Sequence, residues 1–295
     1  MRSHPPTLLT LARRALRGPC DLSATSHVLC AVSGGPDSIA LLHVCCMLRD
    51  RGVIGSVTAH GVDHGLRAAA AEELQLAAEL ARAHGVAFGL TSVVVPPGAN
   101  LQARARTARW EALARAKKDV GAEVIATGHH QDDRAETVLI RILRGAPLPA
   151  LGVLPARDGD RVRPFIAASR ADVRAHIERH GLAFAEDPSN LAARFLRVRV
   201  RHEVLPLLEQ LSPRIREHLA ELADAVIASN AADPAIPETG APDPRRESKR
   251  ALADLARLRV SLKGGVVLSV SGAQALKASP GPEEAGRRKK NRSEP

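Results

Sequence analysis

The sequence contains no tyrosine, and its few phenylalanine and tryptophan residues make up only 2% of the chain. Extended stacking platforms for single-stranded nucleic acid therefore have few candidate residues. The four cysteines, Cys20, Cys30, Cys45 and Cys46, form no C-x-x-C pair, so we expect buried apolar side chains rather than disulfides or metal ligands. No run of 18 apolar residues is present and the N-terminus lacks a signal-peptide pattern, which predicts a cytoplasmic protein with no membrane partner.

Lysine is also scarce. Of the 42 basic residues 7 are lysines, so arginine carries most of the formal net charge of +10. Guanidinium groups bind phosphate through paired hydrogen bonds, and excess positive charge favours phosphate-rich partners. A genome-wide compositional bias would give the same excess, and composition alone leaves both interpretations open. The 295 residues, 45% of them hydrophobic, suffice for one large domain or for a large domain with a small one.

The most informative stretch is an apolar run at residues 27–32 followed by Ser-Gly-Gly-Pro-Asp-Ser at 33–38. This pattern predicts a strand, a tight loop and a helix that begins at Asp37 and Ser38. Two glycines let the loop backbone approach a ligand closely, and the first N–H groups of the helix point outward without partners. A loop of this kind attracts an anion.

The motifs that are absent around this loop narrow the choice of phosphate ligand. The chain has no G-x-x-x-x-G-K-[ST] motif and no lysine after these glycines, which excludes the P-loop of ordinary kinases and GTPases, and G-x-G-x-x-G is missing here too. The loop instead resembles the PP-loop, S-G-G-x-D-S, of the ATP pyrophosphatases, which cleave ATP between its α- and β-phosphates. The resemblance implies that the ATP-binding residues are Ser33, Gly34, Gly35, Pro36, Asp37 and Ser38.

The strand–helix pattern occurs four times between residues 27 and 143. We therefore predict an α/β fold, a doubly wound parallel sheet of the Rossmann-like, adenine nucleotide α-hydrolase type, with a small C-terminal α/β appendage. Residues 161–165 would add an edge strand, where Pro164 is tolerated. Polar residues at the carboxyl ends of such strands line the crevice in which α/β sheets bind ligands.

Shifts in composition predict the domain organisation. We expect a PP-loop catalytic domain over residues 1–211, a connecting helix over 212–229 and a proline-rich linker over 230–247. A small C-terminal segment, 248–278, would contain one helix and a hairpin, and 279–295 would form a disordered basic tail.

Two later segments carry arginines at regular spacing. Arg106 and Arg109 are three residues apart and share one face of a predicted helix, although a solvated basic face has the same spacing. Arginines alternate at 197, 199 and 201. They would form a row of cations on one face if this segment is extended and would be scattered if it is helical.

Acidic residues follow the fourth predicted strand. Asp133, Glu136 and Thr137 are spaced so that one helix face presents two carboxylates and a hydroxyl to the crevice. Oxygen ligands of this kind suit Mg²⁺, which takes one or two carboxylates together with substrate oxygens, although helix-capping acids show the same spacing. The adjacent His129 and His130 lack a second ligand pair at zinc spacing, which disfavours zinc.

Several motifs in one order resemble the tRNA(Ile)-lysidine synthetases, a family of PP-loop enzymes, over about residues 24–215. Besides 33–38, the matching segments are 62–67, 105–110, 126–137 with Arg144 and Gly145, Arg163 with Pro164, 187–190, and 197–201 before Leu205 and Pro206. The chain departs from the family pattern at Val198, where asparagine is usual, and at Trp110, where tyrosine is usual. Beyond Ser212 the match fades.

That family uses ATP to adenylate the wobble cytidine of an isoleucine tRNA at position 2 of its ring, and the ε-amine of free lysine then displaces AMP. The resemblance implies the same two steps here, with ATP as substrate, Mg²⁺ as cofactor, and tRNA(Ile) and L-lysine as partners. The residues carried over by motif are Asp37, Arg109 and Asp133 as catalytic residues, Asp37 and Asp133 as metal ligands, and Arg106, Arg197 and Arg201 as tRNA or substrate contacts. Similar enzymes include homodimers, and the sequence does not decide the oligomeric state.

Two other functions fit parts of the pattern. A PP-loop tRNA thiolase is disfavoured because such enzymes usually carry C-x-x-C pairs, which this chain lacks. A tRNA-binding protein with an inactive ATP site would share the basic composition, but the intact residues 33–38 and Asp133 argue against it.

Overall fold

The computed structural model describes residues 6–63, 70–96, 98, 101–185, 196–232, 259–262, 266–269 and 277–279. The chain divides into two compact units, Met1–Ala232 and Asp233–Pro295. The more detailed boundaries given above stay predictions, and the helix expected within 248–258 lies outside the described residues.

A six-stranded sheet forms the centre of the first unit, in the order β3, β2, β1, β4, β6, β5. The strands are β1 (His27–Val32), β2 (Ser56–Asp63), β3 (Ala87–Ser92), β4 (Val124–Ala126), β5 (Arg157–Asp158) and β6 (Arg161–Val162). All neighbouring pairs are parallel except β5 and β6. The predicted α/β fold with a mostly parallel sheet is confirmed.

Helices connect and cover these strands. Their bounds are α1 (Leu8–Arg17), α2 (Pro36–Asp50), α3 (Ala70–Ala83), α4 (Leu101–Asp119), α5 (Gln131–Leu143), α6 (Arg170–His180), α7 (Leu196–Arg199), α8 (Leu205–Leu211) and α9 (Ile215–Ala232). The chain leaves β1 toward β2 and β3 on one side and returns through α4 to β4 on the other. The strand order therefore reverses between β1 and β4, which is the point where α/β sheets form a ligand crevice.

The sheet has apolar packing on both faces, as a doubly wound fold requires. Alternate residues of β1 belong to different clusters: Val28 and Cys30 pack with α1, α2, α3 and α6, whereas Leu29 and Ala31 pack with α4. β1 is buried along almost its whole length. Its sequence is therefore a continuous apolar run, without the alternation of apolar and polar residues that a half-exposed strand shows.

The four cysteines are free and buried, as expected. Burial raises the pKa of the Cys20 thiol to about 11 and that of Cys46 to about 12. Both residues are therefore protonated at neutral pH and serve as apolar packing groups.

Local sequence signals explain where the helices next to the crevice begin. Pro36 occupies the first position of α2, where a missing N–H and a fixed φ are tolerated. α6 begins with a capping box in which the side chains of Ser169 and Asp172 each accept the other residue's N–H. Gly181, with φ of +59°, ends α6.

The predicted edge strand at 161–165 was wrong in its position. β6 pairs with β4 on one side and with β5 on the other, so β5 forms the edge and Pro164 lies beyond the end of β6. The two-residue β5 carries too short a pattern to be recognised in the sequence.

The segment with alternating arginines is helical. α7 continues through a π-helical turn, Val200–Val204, into α8. Residues 197 and 201 are four positions apart and lie on one side of this segment, whereas Arg199 is exposed and pairs with Glu203. The alternation therefore does not form a single row of cations.

The second unit contains an antiparallel sheet of β7 (Arg259–Leu262), β8 (Val266–Ser269) and β9 (Lys277–Ser279). β7 and β8 correspond to the hairpin predicted for the C-terminal segment. Among the residues that the structure describes, no helix is long and apolar enough to cross a membrane. The cytoplasmic location and the homodimer stay predictions.

Candidate active site

The loop between β1 and α2 lies where the strand order reverses, and its backbone depends on Gly34. The φ of Gly34 is +80°, and a Cβ there would lie 2.0 Å from the carbonyl oxygen of Glu73. The carbonyl oxygen of Gly34 accepts the N–H of Ala185 at 2.9 Å. Gly34 is therefore required by the fold itself.

Gly35 is different, because the protein itself leaves room for a side chain there. Its φ is an ordinary −73°, and the nearest atom to an added Cβ is Ser33 Oγ at 3.8 Å. Within the described part of the chain, the N–H groups of Gly34 and Gly35 donate to no acceptor. An absent side chain beside two unpaired amides leaves the backbone open to an anion.

Ser38 gives the loop its shape. Its hydroxyl accepts the N–H of Ser33 at 3.1 Å and donates to the carbonyl oxygen of Gly35 at 2.9 Å. Pro36 has no N–H to offer. Among the six predicted ATP-binding residues, the backbone amides without an acceptor in the described part of the chain are thus those of Gly34, Gly35 and Asp37, while Ser38 holds the turn closed.

Two carboxylates face each other beside this loop. Asp37 Oδ1 and Asp133 Oδ2 both lie 3.7 Å from Nε2 of His130. Burial raises the pKa of Asp37, and the charge of Asp133 adds to this effect while His130 opposes it. Burial would also raise the pKa of Asp133, but the charges of His130 and Arg197 lower it below its ordinary value. Neighbouring carboxylates of this kind attract a cation.

His130 is the residue of this site that sequence analysis missed, because it was weighed only as a zinc ligand. It is fully buried at the start of α5, and its two ring nitrogens have no hydrogen-bond partner among the described residues. Three carboxylates, those of Asp37, Asp132 and Asp133, lie 3.7 Å from the ring. A buried polar ring without a partner requires an explanation such as a bound ligand or water. Its position directly before an acidic helix start was the available signal.

Glu136 is not available to Mg²⁺ as predicted, because three arginines occupy its carboxylate. It is fully buried and accepts hydrogen bonds from Arg170 at 3.1 Å, from Arg197 at 2.8 Å, and from Arg201 at 2.6 and 3.0 Å. Burial would raise the pKa of Glu136, but the hydrogen bond from Arg201 and the charges of Arg197 and Arg201 lower it. Thr137 is not available either, since its hydroxyl donates to the carbonyl oxygen of Asp133.

The Glu136 cluster, defined here as Glu136 with Arg170, Arg197 and Arg201, also fixes Asp133. Arg197 donates to Asp133 Oδ1 at 3.0 Å, and the N–H of His130 donates to Asp133 Oδ2 at 3.1 Å. Both oxygens of Asp133 are thus held in place. Arg197 and Arg201, predicted as tRNA or substrate contacts, direct their guanidinium groups to these acids, and the contact role stays a prediction.

A second group of arginines has no acidic partner. The side chains of Arg106 and Arg109 on α4 make no hydrogen bond or ion pair with any described residue. Burial lowers the pKa of both, and Arg161 and Arg197 lower that of Arg106 further. The guanidinium carbon of Arg161 lies 4.1 Å from the ring centre of Trp110. We call Arg106, Arg109 and Arg161 the arginine surface, an arrangement that suits a phosphate group.

His129 connects the acidic and basic parts of the site. Burial, together with the charges of Arg163, Arg109 and Arg106, lowers its pKa to about 4, whereas the charge of Asp133 acts in the opposite direction. Its Nδ1 lies 2.8 Å from the hydroxyl of Thr127 at the end of β4. His129 is therefore close enough to Asp133 on one side and to Arg106 and Arg109 on the other for their charges to affect its pKa.

Comparisons with known proteins show the family to which the chain belongs. Residues 9–208 match the model of a family described as a PP-loop domain. The chain is 40% identical to the tRNA(Ile)-lysidine synthase of Thermobifida fusca over 225 residues. This aligned region covers 74% of this chain and 68% of that protein. The chain is 36% identical over 219 residues to the tRNA(Ile)-lysidine synthase of Pseudomonas fluorescens, which covers 73% of this chain.

Coverage of these relatives is partial. The chain spans about half the length of the relatives from Pseudomonas fluorescens and Pseudomonas syringae, 49% and 51%. Among solved structures, the U34-tRNA thiolase NcsA of Methanococcus maripaludis with its [4Fe-4S] cluster is similar, with a TM-score of 0.62 and 18% identity over 75% of this chain and 80% of that chain. This likeness shows a shared fold.

Substitution of the two loop glycines should have opposite effects on stability and on binding. Gly35→Ala should leave the free energy of unfolding within about 0.5 kcal/mol and weaken ATP binding by about tenfold or more, because its Cβ would face only the ligand. Gly34→Ala should lower the free energy of unfolding by about 1–3 kcal/mol. Urea denaturation and calorimetric titration with ATP measure both; unchanged ATP affinity in Gly35→Ala would show that the loop does not bind ATP.

Glu136→Gln should lower the free energy of unfolding by about 2–4 kcal/mol at pH 7, because it leaves three arginines around a neutral group. The folded-state pKa of Glu136 is below its ordinary value, so its stabilising effect is present at neutral pH. The difference from wild type should therefore shrink as the pH falls below about 4.3.

The control for this variant is Glu203→Gln, which removes an exposed acid paired with Arg199. It should unfold like wild type. Urea denaturation between pH 3 and 7, a range set around the reference glutamate pKa of about 4.3, compares the variants. Equal stability of Glu136→Gln and Glu203→Gln at pH 7 would contradict a central role for the Glu136 cluster.

Proposed function

Because the chain belongs to the PP-loop domain family, and within it to the tRNA(Ile)-lysidine synthases, we propose that it joins L-lysine to the wobble cytidine of tRNA(Ile) with the anticodon CAU. The products would be lysidine, which is the cytidine with lysine joined at position 2 of its ring, together with AMP and pyrophosphate. The family predicted from the sequence is confirmed by the match over residues 9–208 and by the curated relatives. One observation carries the proposal: among the described residues, unpaired loop amides lie beside a pair of carboxylates, and His129 is within the electrostatic influence of both these acids and arginines that have no acidic partner.

The loop amides account for the first step. A carbonyl oxygen of cytosine is a poor leaving group, and adenylation by ATP replaces it with AMP, which leaves readily. The N–H groups of Gly34 and Gly35, together with the N-terminus of α2, would receive the departing pyrophosphate. Gly35 lets the phosphate oxygens come close to the backbone.

The donor set beside the loop fits Mg²⁺. The carboxylate of Asp37 is 42% exposed and makes no hydrogen bond to a described residue, whereas both oxygens of Asp133 already accept one hydrogen bond each. Asp37 would therefore be the main protein ligand and Asp133 the second, with phosphate oxygens completing the set. When bound, Mg²⁺ would neutralise charge between the α- and β-phosphates. The same acidic pair would attract the ammonium group of lysine.

The arginine surface would hold the acceptor RNA. Among the described residues Arg106 and Arg109 have no acidic partner, so their guanidinium groups remain available to phosphate oxygens of the tRNA. The cytosine must leave its stack to reach the crevice. Trp110, covered by Arg161, offers the aromatic face nearest to these arginines.

The activity is tested by incorporation of radiolabelled lysine. The protein is incubated with ATP, Mg²⁺ and a transcript of tRNA(Ile) with the anticodon CAU, and a methionine tRNA transcript serves as the control acceptor. We expect label in the isoleucine tRNA alone, with AMP and pyrophosphate released in equal amounts. No label together with tRNA-dependent AMP formation would indicate a different second substrate. No AMP formation at all would favour a tRNA-binding protein with an inactive ATP site.

Arg109→Ala should weaken the binding of different tRNAs to the same extent. It should also lower the slope of the logarithm of the binding constant against the logarithm of the salt concentration by about 1, because one phosphate contact is lost. Arg115→Ala, which removes an exposed arginine from the same helix, should bind tRNA like wild type. Filter binding at several salt concentrations measures both. Equal effects of the two substitutions would mean that Arg109 contributes only general positive charge.

A further inference from the structure

Four histidines from three parts of the fold meet away from the loop residues. His43 lies on α2, His84 directly follows α3, and His176 and His180 lie on α6. Their ring centroids are 4.5 to 5.2 Å apart in the four contacting pairs. His43 and His176 are buried, with 8% and 2% of their surface exposed, whereas His180 is exposed. The cluster is therefore accessible to solvent from one side.

Three of these residues have the geometry of a ligand set. Nδ1 of His43 lies 2.9 Å from Nε2 of His176. One ring nitrogen from each of His43, His176 and His180 lies within 4.8 Å of the other two. His176 and His180 are four residues apart on one helix, which is the spacing by which helical histidine pairs bind zinc. His43 adds a third nitrogen from a second helix.

We propose that His43, His176 and His180 bind a first-row transition metal ion such as Zn²⁺. Imidazole nitrogens suit Zn²⁺, Ni²⁺ and copper, whereas Mg²⁺ and Ca²⁺ prefer oxygen. Zinc–nitrogen bonds of about 2.0–2.1 Å in a tetrahedral site place neighbouring nitrogens about 3.4 Å apart. Nδ1 of His43 and Nε2 of His176 are hydrogen-bonded at 2.9 Å, and a set of one nitrogen from each histidine lies within 4.8 Å, so rotation of the rings can bring the three nitrogens to this spacing.

The fourth coordination position would face solvent beside His180. His84 packs edge-on against His43, with ring centroids 5.2 Å apart, and acts as a wall of the site. Two arginines lie nearby: Arg179 is close enough to affect His176, and Arg49, which also pairs with Asp50, donates to the carbonyl oxygen of His84 at 2.9 Å. A neutral ligand set near positive charge predicts moderate affinity rather than the very tight binding of cysteine-containing sites.

The ion would join two helices that also reach the crevice. α2 begins at Pro36 after the loop, and α6 begins at Arg170, whose side chain binds Glu136. A metal that binds the folded protein and not the unfolded chain raises stability in proportion to the logarithm of its concentration above its Kd. The site differs from the proposed Mg²⁺ site in ligands and in place, and it is independent of the proposed function.

The test uses the full chain without a histidine tag, stripped with chelator and dialysed. Calorimetric titration with Zn²⁺ should give one ion per chain, and Zn²⁺ should raise the Tm. His180→Ala is the informative variant, because His180 is exposed and its loss should not unfold the protein. It should weaken Zn²⁺ binding by about tenfold or more, since even loss of an outer-shell partner costs about 10–100-fold. His218→Ala, at an exposed histidine on α9, should bind like wild type.

Two further readouts complete the test. Co²⁺ bound at the cluster should show visible ligand-field absorption that His180→Ala removes, and excess Mg²⁺ should not displace Zn²⁺. Absence of stoichiometric Zn²⁺ binding to the wild type, or equal affinity in His180→Ala, would overturn the proposal and leave the histidines a packing role. None of these measurements involves ATP or tRNA, so their outcome is separate from that of the lysine-incorporation test.

Discussion

The position of Asp133 beside the loop depends on one buried carboxylate. Glu136 accepts hydrogen bonds from Arg170 on α6 and from Arg197 and Arg201 on the continuous segment of α7 and the π-helical turn, so it joins α5 to two segments that are distant in the sequence. A buried acid and its cations cannot be separated without leaving an uncompensated charge. Because Arg197 also binds Asp133, the position of that carboxylate depends on the same cluster.

The crevice separates its charges into two regions. The acidic region, with Asp37, Asp133 and the buried His130, lies beside the loop amides, and the arginine surface lies beyond His129. This arrangement suits a reaction in which a cation and an amine approach one side of a nucleotide while a polyanionic RNA approaches the other. Arg106 is exposed and Arg109 is half-buried, and neither has an acidic partner among the described residues, so both guanidinium groups suit the binding of an anion.

Much of this architecture could be predicted from the sequence because the signals are local. The strand, loop and helix around Gly34 and Gly35 follow from an apolar run, two glycines and a proline within twelve residues, and the repeated strand–helix pattern gives the parallel sheet. The Glu136 cluster could not be predicted, because its arginines come from 34 to 65 residues away and helical spacing alone suggested a cation ligand. The arginines at 197–201 were ambiguous because alternation over five residues fits a strand, whereas a π-helical turn leaves no periodic signal.

The most direct test of this account is a crystal structure of the chain with a non-hydrolysable ATP analogue and Mg²⁺. We predict that the β- and γ-phosphates contact the amides of Gly34 and Gly35, and that Mg²⁺ lies against Asp37 with the α-phosphate on the side of Asp133. The arginine surface should then remain free for RNA. Phosphates bound to Arg106 and Arg109, with the loop amides still unpaired, would contradict the account.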